Sequence, residues 1–301
     1  MIDNKSEIVV SVVMTAYNHE KYIKQAVDSV LSQKTNFNYE LIIGDDASKD
    51  STQEILKQYS ALKNVHLFLR KKNSKGKNWD SLINRACGKY IFGCDGDDYW
   101  IGEDVLQEFV DFLEKNPQYI GVSGRRVVLS EKTGKKSVNI KTARCHQTVD
   151  LNGFLNGEKY DFCATMFRNI LNDGKYDYRT HKYSRWIGDL TMCILILLHG
   201  PVYVTDKIIG VYRTDRIKNT SSYNATRNMN QIYEEHIDLV HKLESKIPDQ
   251  LDFSYLIIEY TNNFLQSRNN VMLRIKSIPY IINQVGMKFF LKNFKEINIW
   301  K

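Results

Sequence analysis

The chain begins its first apolar run at Ile8-Val9-Val10-Ser11-Val12-Val13-Met14, which holds one polar residue in seven. A strand covered on both faces of a parallel sheet reads this way, because neither side meets water. The run ends in Thr15-Ala16-Tyr17-Asn18, and Tyr22, Ile23, Ala26, Val27, Val30 and Leu31 then recur at the spacing of one helical face. The pair of elements repeats. Residues 40–44 predict a second strand with Asp45-Asp46-Ala47-Ser48 as its polar exit, and Ser51-Thr52-Gln53-Glu54 has capping-box spacing ahead of a helix through Ile55, Leu56 and Tyr59. Residues 65–69 predict a third strand. Trp79, Leu82, Ile83 and Ala86 mark the next helical face, with Gly88 as a left-handed cap. Tyr90-Ile91-Phe92-Gly93-Cys94 is the fourth strand, and strand–helix alternation four times over predicts an α/β fold on a mostly parallel sheet.

Beyond Trp100 the pattern loosens. Val105, Leu106, Phe109, Val110 and Leu113 predict a helix stopped at Asn116-Pro117. Strands are expected at 119–123, 126–130 and 137–140, the last two forming a hairpin around Glu131-Lys132-Thr133-Gly134-Lys135. Further strands are expected at 162–167, 202–205 and 208–213, a Gly-rich loop at 152–157, an apolar helix at 190–199 and a mobile polar loop at 214–224. From about Met229 the periodicity is helical to the end, with Pro279 expected to break the basic remainder.

Three polar clusters fall at the carboxyl ends of predicted strands: Thr15–Asn18, Asp45–Asp46 and Asp95–Asp98. Ligands of open parallel sheets bind beyond those ends, so the fold would gather the clusters along one edge. The three carboxylates of Asp95-Gly96-Asp97-Asp98 repel one another, and burying them unpaired is costly, which asks for a cation. A hard divalent metal is the natural candidate. Asp95 and Asp97 can point to one side of an extended segment, while Gly96 would let the backbone approach a diphosphate. An acidic turn is the plainer alternative. An EF-hand loop is excluded, since its sixth position is Trp100 and its twelfth is Leu106.

Bulk properties narrow the class. The chain of 301 residues suggests one large domain or two modest ones. Its five cysteines are scattered and form no C-x-x-C pair, which argues against a disulfide framework or zinc site and for a reducing compartment. The polar start Met1-Ile2-Asp3-Asn4-Lys5 is unlike a secretory signal, so a cytoplasmic location is expected. The formal charge of +7 is concentrated late: after residue 265 the only acid is Glu296, among Arg268, Arg274, Lys276, Lys288, Lys292, Lys295 and Lys301. No nucleic-acid motif accompanies the charge, and no nucleic-acid partner is expected. Lys288-Phe289-Phe290-Leu291-Lys292-Asn293-Phe294-Lys295 and Trp300 interleave base and aromatic. Two readings stand side by side: a peripheral contact with the inner face of the cell membrane, or a helix packed on the preceding domain with a solvated basic face.

The blocks Val9 to Asn18, Tyr39 to Thr52 and Asp95 to Trp100, together with Trp186-Ile187-Gly188-Asp189, resemble the family 2 glycosyltransferases of GT-A fold. They cover about residues 7–213 in the family's order. The resemblance implies a Rossmann-like GT-A domain at 1–220 with helices on both faces of the sheet. Its first 100 residues would bind the nucleotide sugar and 101–220 the acceptor, leaving 221–301 as a helical extension. It implies an inverting transfer of sugar from a nucleoside diphosphate donor, expected to be a UDP-sugar, to an acceptor sugar hydroxyl. The acceptor could be lipid-linked, in assembly of a bacterial surface polysaccharide.

Carried over residue by residue, Thr15, Tyr17, Asn18, Asp45 and Asp46 would hold the nucleotide, with Tyr17 near the base and Asp46 accepting from its ring N–H. Asp95 and Arg213 would join them, and Arg216 is a second candidate for the diphosphate. Asp95, Asp97 and Asp98 would take Mn2+ or Mg2+, acting as a Lewis acid on the leaving group. Asp189 matches the general base, a role typically worth about 10²–10⁴ in rate; an N-cap is its structural alternative. Asp215 stands where many relatives carry a His. A nucleotidyltransferase is disfavoured because Thr15-Ala16-Tyr17-Asn18-His19-Glu20 is not a Gly-rich basic loop. A metal-dependent phosphoesterase would want a His cluster that is absent. A non-catalytic nucleotide-sugar-binding module would bind without turnover and be indifferent to Asp189. The sugar, linkage and acceptor carry no readable motif.

Overall fold

The computed structural model describes residues 7–138, 145–184, 187–214, 228–247, 251–268 and 270–300. The first half alternates as expected: β1 (Ile8–Ala16), α1 (Ile23–Leu31), β2 (Asn38–Asp45), α2 (Thr52–Lys57), β3 (Val65–Leu69), α3 (Asn78–Ile83) and β4 (Tyr90–Gly93). There follow β5 (Tyr99–Trp100), α4 (Val105–Lys115), β6 (Gly121–Ser130), β7 (Lys136–Val138), β8 (Gln147–Val149), α5 (Leu151–Leu155) and β9 (Thr165–Arg168). After α6 (Gly188–Leu197) and β10 (Val202–Thr214), the chain ends in α7 (Met229–Lys246), α8 (Ser254–Gln266), α9 (Val271–Val285) and α10 (Met287–Lys292). Among the described residues the strands form one sheet of order β3-β2-β1-β4-β9-β6-β10-β5, with β7 added on β6 and β8 on β10. β3, β2, β1 and β4 are parallel, whereas β9 runs antiparallel to both β4 and β6.

The alternation of β1 explains the layering. Val10, Val12 and Met14 enter one apolar cluster with Ile23, Val27 and Phe109 of α1 and α4. Val13 points the other way, into a cluster with α6 and the C-terminal helices. Helices therefore cover both faces, as the unbroken apolar run requires. Residues 191 to 197 of α6 are all buried, and each buried Leu or Ile contributes roughly 1.5–3 kcal/mol. That burial fixes the start of α6, where Asp189 lies. Tyr233, Ile237, Leu256 and Phe264 belong to the same cluster, so α7 and α8 are packed on the sheet.

Several local expectations are corrected. Ser51 caps no helix through its side chain; Asp50 accepts from the Thr52 N–H at 3.0 Å and Glu20 from the Ser51 N–H at 3.0 Å instead. Gly88 is not left-handed. It is glycine because a Cβ there would lie 2.5 Å from the Ser11 nitrogen. The two strands expected at 119–123 and 126–130 are one, and so are those at 202–205 and 208–213, the latter pair joined through a register shift against β6. The expected loop at 152–157 contains α5, whose Asp150 cap accepts from the Gly153 N–H at 2.7 Å. Pro279 lies inside α9 without ending it; it is exposed, where a missing N–H is tolerated. The expected polar loop lies, after Thr214, outside the described residues.

Candidate active site

The strand order reverses direction between β1 and β4, which makes their carboxyl ends the switch point of the sheet. Beyond β4 the chain stays on β1: the Cys94 N–H donates to Val13 O at 3.0 Å and the Gly96 N–H to Thr15 O at 2.9 Å. This pairing sets Asp95 beside Thr15, whose hydroxyl donates to Asp95 Oδ1 at 3.0 Å. A Cβ on Gly96 would lie 2.9 Å from Thr15 O and 2.8 Å from Ile23 Cδ1. The glycine thus serves the approach of the chain to itself, which replaces the expected approach to a diphosphate.

The carboxylates of Asp95, Asp97 and Asp98 offer oxygens within 4.8 Å of one another, and their surroundings differ. Asp98 is buried, with Oδ2 accepting from Arg126 at 2.8 Å and Oδ1 from the Arg213 N–H at 2.9 Å. Arg126 also grips Asp161 with two bonds, at 2.7 and 2.8 Å, and lies 4.9 Å over the Tyr212 ring. Burial pushes the Asp98 carboxyl up and the Arg126 charge opposes it. Part of the cation demanded by three carboxylates is therefore supplied by the protein. Asp97, also buried, faces His19 Nε2 at 3.4 Å. Asp95 is half-buried and accepts from the Cys163 thiol at 3.5 Å. An all-oxygen carboxylate set containing one partly open member suits a hard divalent cation.

Asp95 shares a recess of about 160 Å³ with Thr15, Trp79, Cys163, Thr180 and Asp189. Asp189 is the second residue of α6, whose N-cap is Ile187, so the N-cap alternative for Asp189 does not hold. It is exposed by surface area and borders the recess. Desolvation by the surrounding protein, aided by the Asp95 charge and opposed by Arg126, raises its carboxyl to about 6. Thr180 is held by Asp80, which accepts from its N–H and its hydroxyl, both at 2.9 Å. Burial pushes the Cys163 thiol well up, so it stays protonated.

The remaining expected residues shape the edge. Asp45 is fully buried and accepts from the Ser48 N–H at 2.9 Å, the Ser48 hydroxyl and the Gln53 amide. Asn18, at φ +55°, accepts from the Lys49 N–H at 2.9 Å, while its own N–H donates to the Ser48 hydroxyl at 2.8 Å. These bonds tie the exits of β1 and β2 together. The Asp46 carboxylate accepts from the Ser74 N–H at 2.7 Å and lies 3.8 Å from Arg70. Tyr17 is half-buried between these loops.

Arg213 departs from expectation. It is 4 % exposed, between the rings of Tyr22 and Tyr99 at 5.0 and 4.6 Å. It donates to Asp97 O at 2.6 Å, Glu131 at 3.0 Å and Gln25. Such an enclosed guanidinium locks the acidic turn to β10 and is not turned toward a diphosphate. Trp186, Asp215 and Arg216 lie outside the described residues. His19, Trp79, Asp80, Arg126, Asp161 and Thr180 were not anticipated. A signal existed for one of them, since Arg125-Arg126 interrupt the strand between Val122 and Val127 and a charge there needs a partner.

Comparison with known proteins supplies the family. The model of glycosyl transferase family 2 matches residues 11–174. EpsE of Bacillus subtilis is 38% identical over 195 residues, 64% of this chain and 67% of that protein. An uncharacterized protein of Mycobacterium tuberculosis is 38% identical over 112 residues, 36% of this chain, and the chain spans only 32% of its length. Among solved structures, residues 1–349 of Staphylococcus aureus TarS bound to UDP-GlcNAc align with a TM-score of 0.68 at 18% identity, over 96% of this chain and 82% of that one. TarS is a poly(ribitol-phosphate) β-N-acetylglucosaminyltransferase, 31% identical in sequence over 128 residues, 39% of this chain and 22% of the full-length protein. The structural likeness gives the fold as GT-A, and the family match together with EpsE makes this chain a member of glycosyl transferase family 2.

Proposed function

We propose that the chain transfers a sugar from a UDP-sugar to a saccharide hydroxyl with inversion, in the assembly of a bacterial surface polysaccharide. The observation that carries the reading is the recess shared by Asp95 and Asp189, which puts a base candidate beside the acidic turn of the switch point. Thr15, Tyr17 and Asp46 line the way to the nucleoside. Asn18 and Asp45 shape that edge, and Arg213 holds the acidic turn in place. The UDP-GlcNAc bound to TarS and the polymeric acceptor in its name support the donor and acceptor classes.

Asp95 and Asp97 would hold Mn2+ or Mg2+, because Asp98 is buried and paired with the charged Arg126, whereas Asp95 accepts, among the described residues, only from a hydroxyl and a thiol and borders the recess. When bound, the cation supplies Lewis-acid stabilisation to the departing diphosphate. Asp189 accepts the proton of the acceptor hydroxyl as it attacks the anomeric carbon. A raised carboxyl pKa makes it a stronger base than a free aspartate while leaving it ionised at neutral pH.

The test is release of nucleoside diphosphate from UDP-, GDP- and dTDP-sugars with Mn2+ or Mg2+. Release from UDP-sugar that Asp95→Asn and Asp189→Asn abolish is the expected result. Tight, metal-indifferent UDP binding without release from any donor would replace this reading with the binding-module one.

A further inference from the structure

The C-terminal layer has two faces. On its inner side Ile281, Phe290, Ile297 and Ile299 are at most 3 % exposed. Asn262 of α8 fixes the tail by donating to Glu296 O at 3.0 Å and accepting from the Asn298 N–H at 2.7 Å. The layer is thus clamped to the protein through its inner face.

Its outer face is both apolar and cationic. Met272, Met287, Leu291 and Trp300 are 54 to 64 % exposed. Met272, Lys276, Pro279 and Asn283 are exposed at i, i+4, i+7 and i+11, one stripe along α9 that leads to Met287 and α10. From residue 271 to 295 the sequence has no Asp or Glu, and it carries Arg274, Lys276, Lys288, Lys292 and Lys295. Between Lys288 and Lys295 the exposed residues other than Lys292 are Leu291 and Phe294, where a solvated basic face would show polar side chains. Single exposed apolar residues need no explanation, but an ordered run of them interleaved with cations does. Beside the stripe, between α7 and α9, a recess of about 280 Å³ is lined by Asn230, Arg268, Lys276, Ser277 and Tyr280.

We propose that the outer face of α9, α10 and the tail docks on an anionic phospholipid bilayer. Lys276, Lys288, Lys292 and Lys295 meet headgroup phosphates while Met287, Leu291 and Trp300 enter the interfacial layer. No helix among the described residues is long and apolar enough to cross a membrane, so the contact is a surface one. The surface shares no residue with the catalytic recess, so it stands or falls separately from the transferase reading.

The experiment is sedimentation of the full chain with vesicles of phosphatidylcholine alone or mixed with phosphatidylglycerol. Retention on the anionic vesicles should exceed that on neutral ones at least about tenfold and fall with salt. Lys288→Glu/Lys292→Glu/Lys295→Glu should lower it by about tenfold or more, and Leu291→Ser/Trp300→Ser should lower it at unchanged charge. Met287→Ser, at a residue that is 54 % exposed, has less packing to lose than a core position and should also weaken retention. Circular dichroism confirms that each variant is folded, and donor hydrolysis in solution should be unchanged. Equal retention on both vesicles, retention indifferent to the lysines, or preference for duplex DNA over anionic vesicles would overturn the proposal.

Discussion

The exits of β2 and β4 both carry aspartates at the same sheet edge, and their carboxylates are used differently. At β2, Asp45 is fully buried and accepts from Ser48 and Gln53 of its own loop. At β4, Asp98 is closed by Arg126 and the Arg213 N–H, but Asp95 stays half-buried on a recess that also holds Asp189. The difference is one of exposure and of partners: Asp45 is closed in by three donors of its own loop, whereas Asp95 accepts from Thr15 and Cys163 and still borders the recess. A carboxylate enclosed in its own loop builds the edge, and one open to the recess is available to a ligand. Position at a strand end does not distinguish the two; the partners do.

The comparison breaks first at Asp189. Asp189→Asn should lower turnover by about 10²–10⁴ with UDP affinity retained, measured by diphosphate release and calorimetry. Next is Arg126, the counter-charge of the buried Asp98 and Asp161. Arg126→Met leaves Asp98 and Asp161 buried without a cation and should destabilise the fold by about 3–5 kcal/mol, read from the urea midpoint. Asp45→Ala should cost about 1–3 kcal/mol through the donors left unpaired, again by urea, while turnover per folded molecule holds.

The smallest effect is on pH. As the proposed base Asp189 would act in its ionised form, and its carboxyl is raised to about 6, so activity should rise with pH through about 6 and level off above. Burial is the main cause of that rise and the Asp95 charge the second. In the metal-free protein Asp95→Asn should therefore shift the titration of Asp189 downward, as read by NMR of its carboxyl, and an unmoved titration would deny the coupling between the two carboxylates.

The layered half of the fold was legible because β1 and α1 bury residues at the periods their sequence displays. The longer strands were not. Arg125-Arg126 and Thr205-Asp206-Lys207 break the apolar runs of β6 and β10, and only tertiary partners carry the chain through: Asp161 for Arg126, and Asp104 at 2.9 Å for Lys207. The same limit governs the site. Thr15, Asp95 and Asp189 sit in recognisable blocks, whereas the enclosure of Arg213 by Tyr22 and Tyr99 joins segments far apart in the chain. Local sequence carries residue type and spacing, and it does not reveal which carboxylates already have donors.

The central claim is that Asp95 faces the ligand while Asp45 holds the edge, and calorimetry of UDP binding with and without Mn2+ tests it most directly. Asp95→Asn should abolish the strengthening of UDP binding by Mn2+ at unchanged thermal stability. Asp45→Ala should keep that strengthening while its melting temperature falls. The reverse pattern, with metal-linked binding lost in Asp45→Ala and intact in Asp95→Asn, would contradict the account.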